Sequence, residues 1–146
     1  MGMRRKSREL ALQILYTLEL NPGNADEISQ LFLKSQKAKG DVKDFAQLIV
    51  QGTLEKKEEI DRMVRPLLKN WDMKRMSLVD RNIIRIGAYE MIFLSKAQSL
   101  SDPIPWVVTI NEAVDIAKKY STPDSGKFVN GVLDQLRKEF VQGEEG

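Results

Sequence analysis

At 146 residues, with 42% drawn from the apolar set, the chain is long enough for one domain with a sizeable core. It has neither cysteine nor histidine, which excludes disulfides, zinc sites built on those residues and imidazole proton transfer, and points to a cytoplasmic protein. The net charge of +2 hides an asymmetry: Arg4, Arg5, Lys6 and Arg8 give residues 1–8 a local +4, while the remainder carries 19 basic against 21 acidic side chains. A basic amino-terminal arm of this kind meets nucleic acid or an acidic partner, or simply stays solvated.

Taken in order, the segments between breakers have helical apolar spacing. Residues 6–20 align Ala11, Ile14, Leu15 and Leu18, and 25–38 offer Ile28, Leu31 and Phe32. The stretch 42–54 contributes Phe45, Leu48 and Ile49, and 56–71 contributes Ile60, Met63, Val64, Leu67 and Trp71, with a kink expected at Pro66. Ser77-x-x-Asp80 has the form of a capping box ahead of the apolar run Ile83–Leu94, and Thr109-x-x-Glu112 of a second, with Ile110, Ala113, Val114 and Ala117 as the buried face. Val107–Ile110 could read as a strand but would have no partner. Over 125–140 the stripe is Val129, Val132, Leu133, Leu136 and Phe140. The run Ile83–Leu94 is interrupted by Arg85 and Glu90 and is far shorter than the roughly 20 apolar residues of a membrane span. About seven helices and no convincing strand make an all-α domain of residues 1–140, with a polar tail over 141–146.

Little here resembles a catalytic centre. Ser125-Gly126-Lys127 fails as a phosphate loop because Ser121 and Phe128 stand where Gly and Ser or Thr are needed. Glu58-Glu59 and Glu144-Glu145 are adjacent, so on a helix each pair diverges by about 100°. No enzyme, cofactor or metal is expected. Met63, Met73, Met76, Met91 and Trp71 read as packing.

Two aromatics stand off their stripes. Tyr16 falls about 140–160° from the centre of the first apolar stripe, near the azimuth of Arg5 and flanked by Arg8 and Leu12. Arg5 and Tyr16 would span roughly 16 Å, enough for two or three nucleotides with guanidinium on phosphate and the ring under a base. The wheel is equally compatible with Tyr16 packing on another helix. Phe128 lies about 100° off the last stripe, beside Asp124, Ser125, Lys127 and Asn130. That setting suits an unpaired base, although a ring filling a helix seam fits the spacing better.

Several blocks together carry a resemblance. They are Arg4–Gln13 with Leu15-Tyr16, then Val79-Asp80-Arg81 with Ile84-Arg85-Ile86 and Ala88-Tyr89-Glu90. Ile110-Asn111-Glu112-Ala113-Val114 follows, and Asp124-Ser125 with Lys127-Phe128-Val129-Asn130-Gly131-Val132-Leu133-Asp134 closes the set. In this order, over residues 4 to about 137, the chain resembles the NusB family of bacterial transcription antitermination factors. The resemblance implies a compact helical fold of two halves. It also implies binding of boxA, a short single-stranded RNA element of ribosomal RNA leader transcripts, together with ribosomal protein NusE in an antitermination complex on RNA polymerase. The alternative is a helical protein–protein adaptor without a direct RNA role. Carried over residue by residue, the RNA surface is Arg4, Arg5, Lys6, Arg8, Tyr16, Asp80, Asp124, Lys127 and Phe128. The family contains monomers and dimers, so a homodimer stays open. Residues 95–106 make a longer connection than the family pattern.

Overall fold

Gly2 to Leu20 form the first helix of the computed structural model, which describes residues 2–68, 76–94 and 104–141. This helix, α1, is followed by α2 (Ala25–Lys34), α3 (Gly40–Glu55) and α4 (Lys57–Val64). The later helices are α5 (Leu78–Ala88), α6 (Trp106–Tyr120) and α7 (Pro123–Phe140). No strand occurs among the described residues. Helix α1 packs against α2, α3 and α5, and α5 against α6 and α7, so two helical groups meet along the α1–α5 contact. Their shared core includes Leu10, Ile14, Ile49, Ile60, Ile84, Val129, Leu133 and Leu136.

Local chemistry explains most boundaries. Asn24 caps α2 by accepting from Glu27 N at 2.9 Å. That helix stops at Lys34, short of the expected 38, because Ser35 N turns back to Phe32 O at 3.2 Å, a three-residue closure that tightens the last turn. The fourth expected helix is indeed interrupted at Pro66: α4 ends at Val64 and Arg65–Leu67 form a 3₁₀ turn. Trp71 and Met73 lie outside the described residues, as do 95–103 of the long connection. Thr122 and Ser125 form a reciprocal capping box on α7 with Pro123 in the first turn, a start the apolar pattern alone did not reveal.

Four expectations need correction. The basic segment is not an arm preceding a helix but the first turns of α1 itself. The Thr109-x-x-Glu112 box does not cap α6, which begins a turn earlier after Pro105, and both side chains are buried within the fold. On α2, Leu31 is 64% exposed, while Ser29 and Leu33 are the buried residues. Phe140, on the last stripe, is only half-buried.

Helix α5 continues as a π-helical stretch, Tyr89–Leu94. Tyr89 lies against the backbone of Gly52, where a Cβ would overlap its ring, and Leu133 Cδ1 sits 2.8 Å from where one on Gly87 would be. Glycine at these two positions lets α3 and α7 approach the α5–π segment closely.

Candidate nucleic-acid interface

The wheel of α1 puts Arg5, Glu9, Leu12 and Tyr16 in one row, at i, i+4, i+7 and i+11. In the fold much of that row faces α6 instead of solvent. Arg5 donates to Glu112 through Nε and Nη2, the latter at 2.8 Å, and reaches Asp115 from Nη2 at 2.9 Å. These contacts raise the Arg5 pKa, with the Glu112 hydrogen bond the largest cause, and hold the Glu112 carboxyl below its ordinary value through the same bond. Leu12 is buried.

Arg8 is 3% exposed and forked onto the equally buried Glu90 of the π segment, at 2.8 Å (Nε) and 2.7 Å (Nη2). Its guanidinium is shut away from solvent, and burial opposes its charge while Glu90 restores it. Arg4 lies 4.9 Å over the Phe45 ring, a cation–π contact that leaves the residue half-buried. Lys6 is exposed. The four bases therefore occupy four different settings.

Tyr16 is 39% exposed and lines a groove of about 310 Å³ with Phe32, Val79 and Tyr120. A second groove, of about 360 Å³, is lined by Asp80, Thr122, Asp124 and Phe128. The two share neighbouring chain: Val79 lines one and Asp80 the other, and Tyr120 and Thr122 divide in the same way. Tyr16 and Phe128 are thus brought to adjoining grooves although they stand on the first and last helices. Asp124 lines the second groove and is exposed, and Lys127, also in the first turns of α7, is exposed as well.

Asp80 is buried, and Ser77 accepts from its backbone N at 3.1 Å, so the expected cap is half formed. Its carboxylate does not complete the box. Oδ2 accepts instead from Ser125 Oγ at 2.9 Å, tying α5 to α7, and Oδ1 has no hydrogen-bond partner. Ser125 and Tyr120 line the two grooves although neither was among the expected RNA contacts. The Thr122-x-x-Ser125 pattern was the local signal for the first; nothing local marks the second.

Chemically, the surface offers two aromatic rings, the exposed carboxylate of Asp124 and peripheral cations. That combination fits flat groups with amino edges joined by phosphates. No group of acidic side chains among the described residues is arranged to hold a metal ion.

The fold has close counterparts. A Bdellovibrio bacteriovorus transcription antitermination protein NusB is 47% identical, covering 92% of this chain and 95% of that protein. The T. maritima NusB structure superposes with a TM-score of 0.81 at 36% identity, covering 93% of this chain and 91% of that one. A structure of antitermination factors NusB and NusE in complex with double-stranded RNA gives 0.80 at 30% identity, covering 96% and 99%. The NusB family model matches residues 5–138, which span both grooves and every ion pair described above, and the chain belongs to the NusB family.

Proposed function

We propose that this chain is a non-enzymatic, cytoplasmic RNA-binding antitermination factor, folded as one domain over residues 1–140. In this reading it binds single-stranded boxA RNA of ribosomal RNA leader transcripts together with NusE, within an antitermination complex on RNA polymerase. The observation that carries it is the pair of adjoining grooves holding Tyr16 and Phe128, with the exposed Asp124 lining the second. The similar NusB structure solved with NusE and double-stranded RNA supports the choice of partners. Tyr16 and Phe128 stack on unpaired bases and Asp124 accepts from base amino groups, while the buried Asp80 acts beneath the groove by tying α5 to α7. Arg4, Lys6, Lys127 and the half-exposed edge of Arg5 meet phosphates, while Arg8 holds α1 in place behind them. No helix among the described residues is long and apolar enough to cross a membrane.

The test is fluorescence anisotropy with a labelled single-stranded boxA RNA, with and without NusE. Tyr16→Ala and Phe128→Ala should each lose roughly 1–3 kcal/mol of RNA affinity, nearly independent of salt because stacking releases few counterions. Leu136→Ala, at a fully buried site, should instead destabilise the fold by about 2–5 kcal/mol and leave affinity per folded molecule unchanged. Binding of NusE with no RNA affinity in any mixture would overturn the reading in favour of a protein adaptor.

A further inference from the structure

Glu9 is a buried carboxylate on α1 that the phosphate contacts above do not use. It reaches the last turn of α6, where Oε1 accepts from Tyr120 Oη at 3.2 Å and Oε2 pairs with Lys119 Nζ at 3.1 Å. A carboxylate can accept several donors at once, so one buried group secures both side chains. Lys119 Nζ also lies 5.2 Å from the Tyr120 ring centroid. Tyr120 is 37% exposed, and a ring so exposed at a helix end would ordinarily be free to change rotamer. Here a partner on another helix fixes it before any ligand arrives, and ordering in advance is what favours affinity.

The ring so held lines the Tyr16 groove, with Leu12, Phe32 and Val79 as apolar walls and Gln13 as a polar one. The volume of about 310 Å³ falls at the lower end of the range for ligand clefts, about 300–1,000 Å³. The groove adjoins the Asp80–Phe128 groove through Val79-Asp80 on one side and Tyr120 to Thr122 on the other. Continuity with that surface identifies the occupant as another nucleotide of the same strand. The geometry points to Tyr120, held in place by Glu9, as a third aromatic contact for RNA, receiving with Tyr16 an unpaired base distinct from the one at Phe128. This rests on the RNA-binding reading, and Glu9 acts as a positioning residue.

The experiment is an abasic scan: boxA RNAs, each lacking one base, are titrated against the parent, Tyr120→Leu, Tyr120→Phe, Glu9→Ala and Tyr16→Ala. Leucine keeps apolar bulk but removes the aromatic face. Tyr120→Leu should bind the intact RNA roughly 5- to 150-fold more weakly, while Tyr120→Phe, which keeps the ring but loses the bond to Glu9, should fall between the two and behave like Glu9→Ala. At one nucleotide, removal of the base should weaken the parent but have little further effect on Tyr120→Leu. Glu9→Ala should lose sensitivity at the same nucleotide without itself touching RNA. Because each protein is compared with itself across RNAs, partial misfolding cancels. Equal sensitivity of Tyr120→Leu and parent at every position would overturn the assignment, and a Tyr16→Ala defect in that case would leave the RNA-binding reading standing. Parent sensitivity at the same nucleotide in Glu9→Ala would remove Glu9's positioning role. If the parent does not bind the intact RNA, both readings fall.

Discussion

The guanidinium of Arg8 and the ammonium of Lys6 stand two residues apart, yet the fold gives them opposite work. Arg8 is bonded at both ends to the buried Glu90, with Thr109 Oγ1 3.4 Å from the same carboxylate. Removing one partner of a buried pair strands the other charge, so Arg8→Met should destabilise the protein by about 3–5 kcal/mol in urea unfolding. Lys6 is exposed, and Lys6→Ala should leave the unfolding midpoint in place. If Lys6 meets a phosphate, its loss should lower the slope of log affinity against log salt by about 0.7. An Arg8→Met protein as stable as its parent would show that the pair contributes nothing to the fold. The sequence groups these bases as one patch because local spacing carries no information about acids some 80 residues away.

At the scale of the element, α1 begins under an electrostatic handicap. Its first turn has no acid, and cations at a helix amino terminus oppose the helix dipole. The compensation comes from α6 and the π segment, through Glu112, Asp115 and Glu90, and from Ser7 Oγ, which donates to Val42 O at 2.7 Å. The consequence is a pH dependence whose sign follows from Glu112. Its carboxyl titrates below the ordinary 4.5 in the folded state, chiefly through Arg5, which itself stays cationic. Stability from this pair is therefore fully present above about pH 4.5 and is lost as pH falls through the lowered folded value. Glu112→Gln should melt below the parent at pH 7, with the gap closing as pH drops under 4.5. Thermal melts from pH 7 to 3 measure this, and a gap that stays constant would mean that Glu112 does not supply the dependence. Because Arg5 is about one-third exposed, solvent screening keeps the effect modest.

At the scale of the whole molecule, Arg85 fastens the helical groups together. From α5 it forks onto Asp61 of α4 at 2.9 and 2.8 Å and reaches Glu19 of α1 at 2.7 Å. Glu19 also takes Arg81 at 3.0 Å and Asn82 at 3.1 Å. Asp61→Ala should cost about 3–5 kcal/mol, whereas the double change Asp61→Ala with Arg85→Met should cost much less than the sum of the single changes. Urea midpoints for the four proteins decide it; additive losses would mean that the two groups do not act as a pair.

Much of this molecule could be read along the chain. The stripe positions Ala11, Ile14, Leu15, Ile60, Ile110, Val129 and Leu133 are buried as their spacing required, because a helix repeats every 3.6 residues and shows its apolar face within one or two turns. The break at Pro66 and the Ser77 cap are equally local, arising from a missing N–H and a hydroxyl within reach. Leu31 misled because its place on a wheel does not say whether a neighbouring helix is there to cover it. The pairing of Arg5 and Arg8 with acids on distant segments, the tie from Asp80 to Ser125, and the junction of the Tyr16 and Phe128 grooves were decided only by tertiary structure. Helical periodicity fixes the direction of a side chain around its own axis, but which helix lies in that direction depends on how all seven pack together.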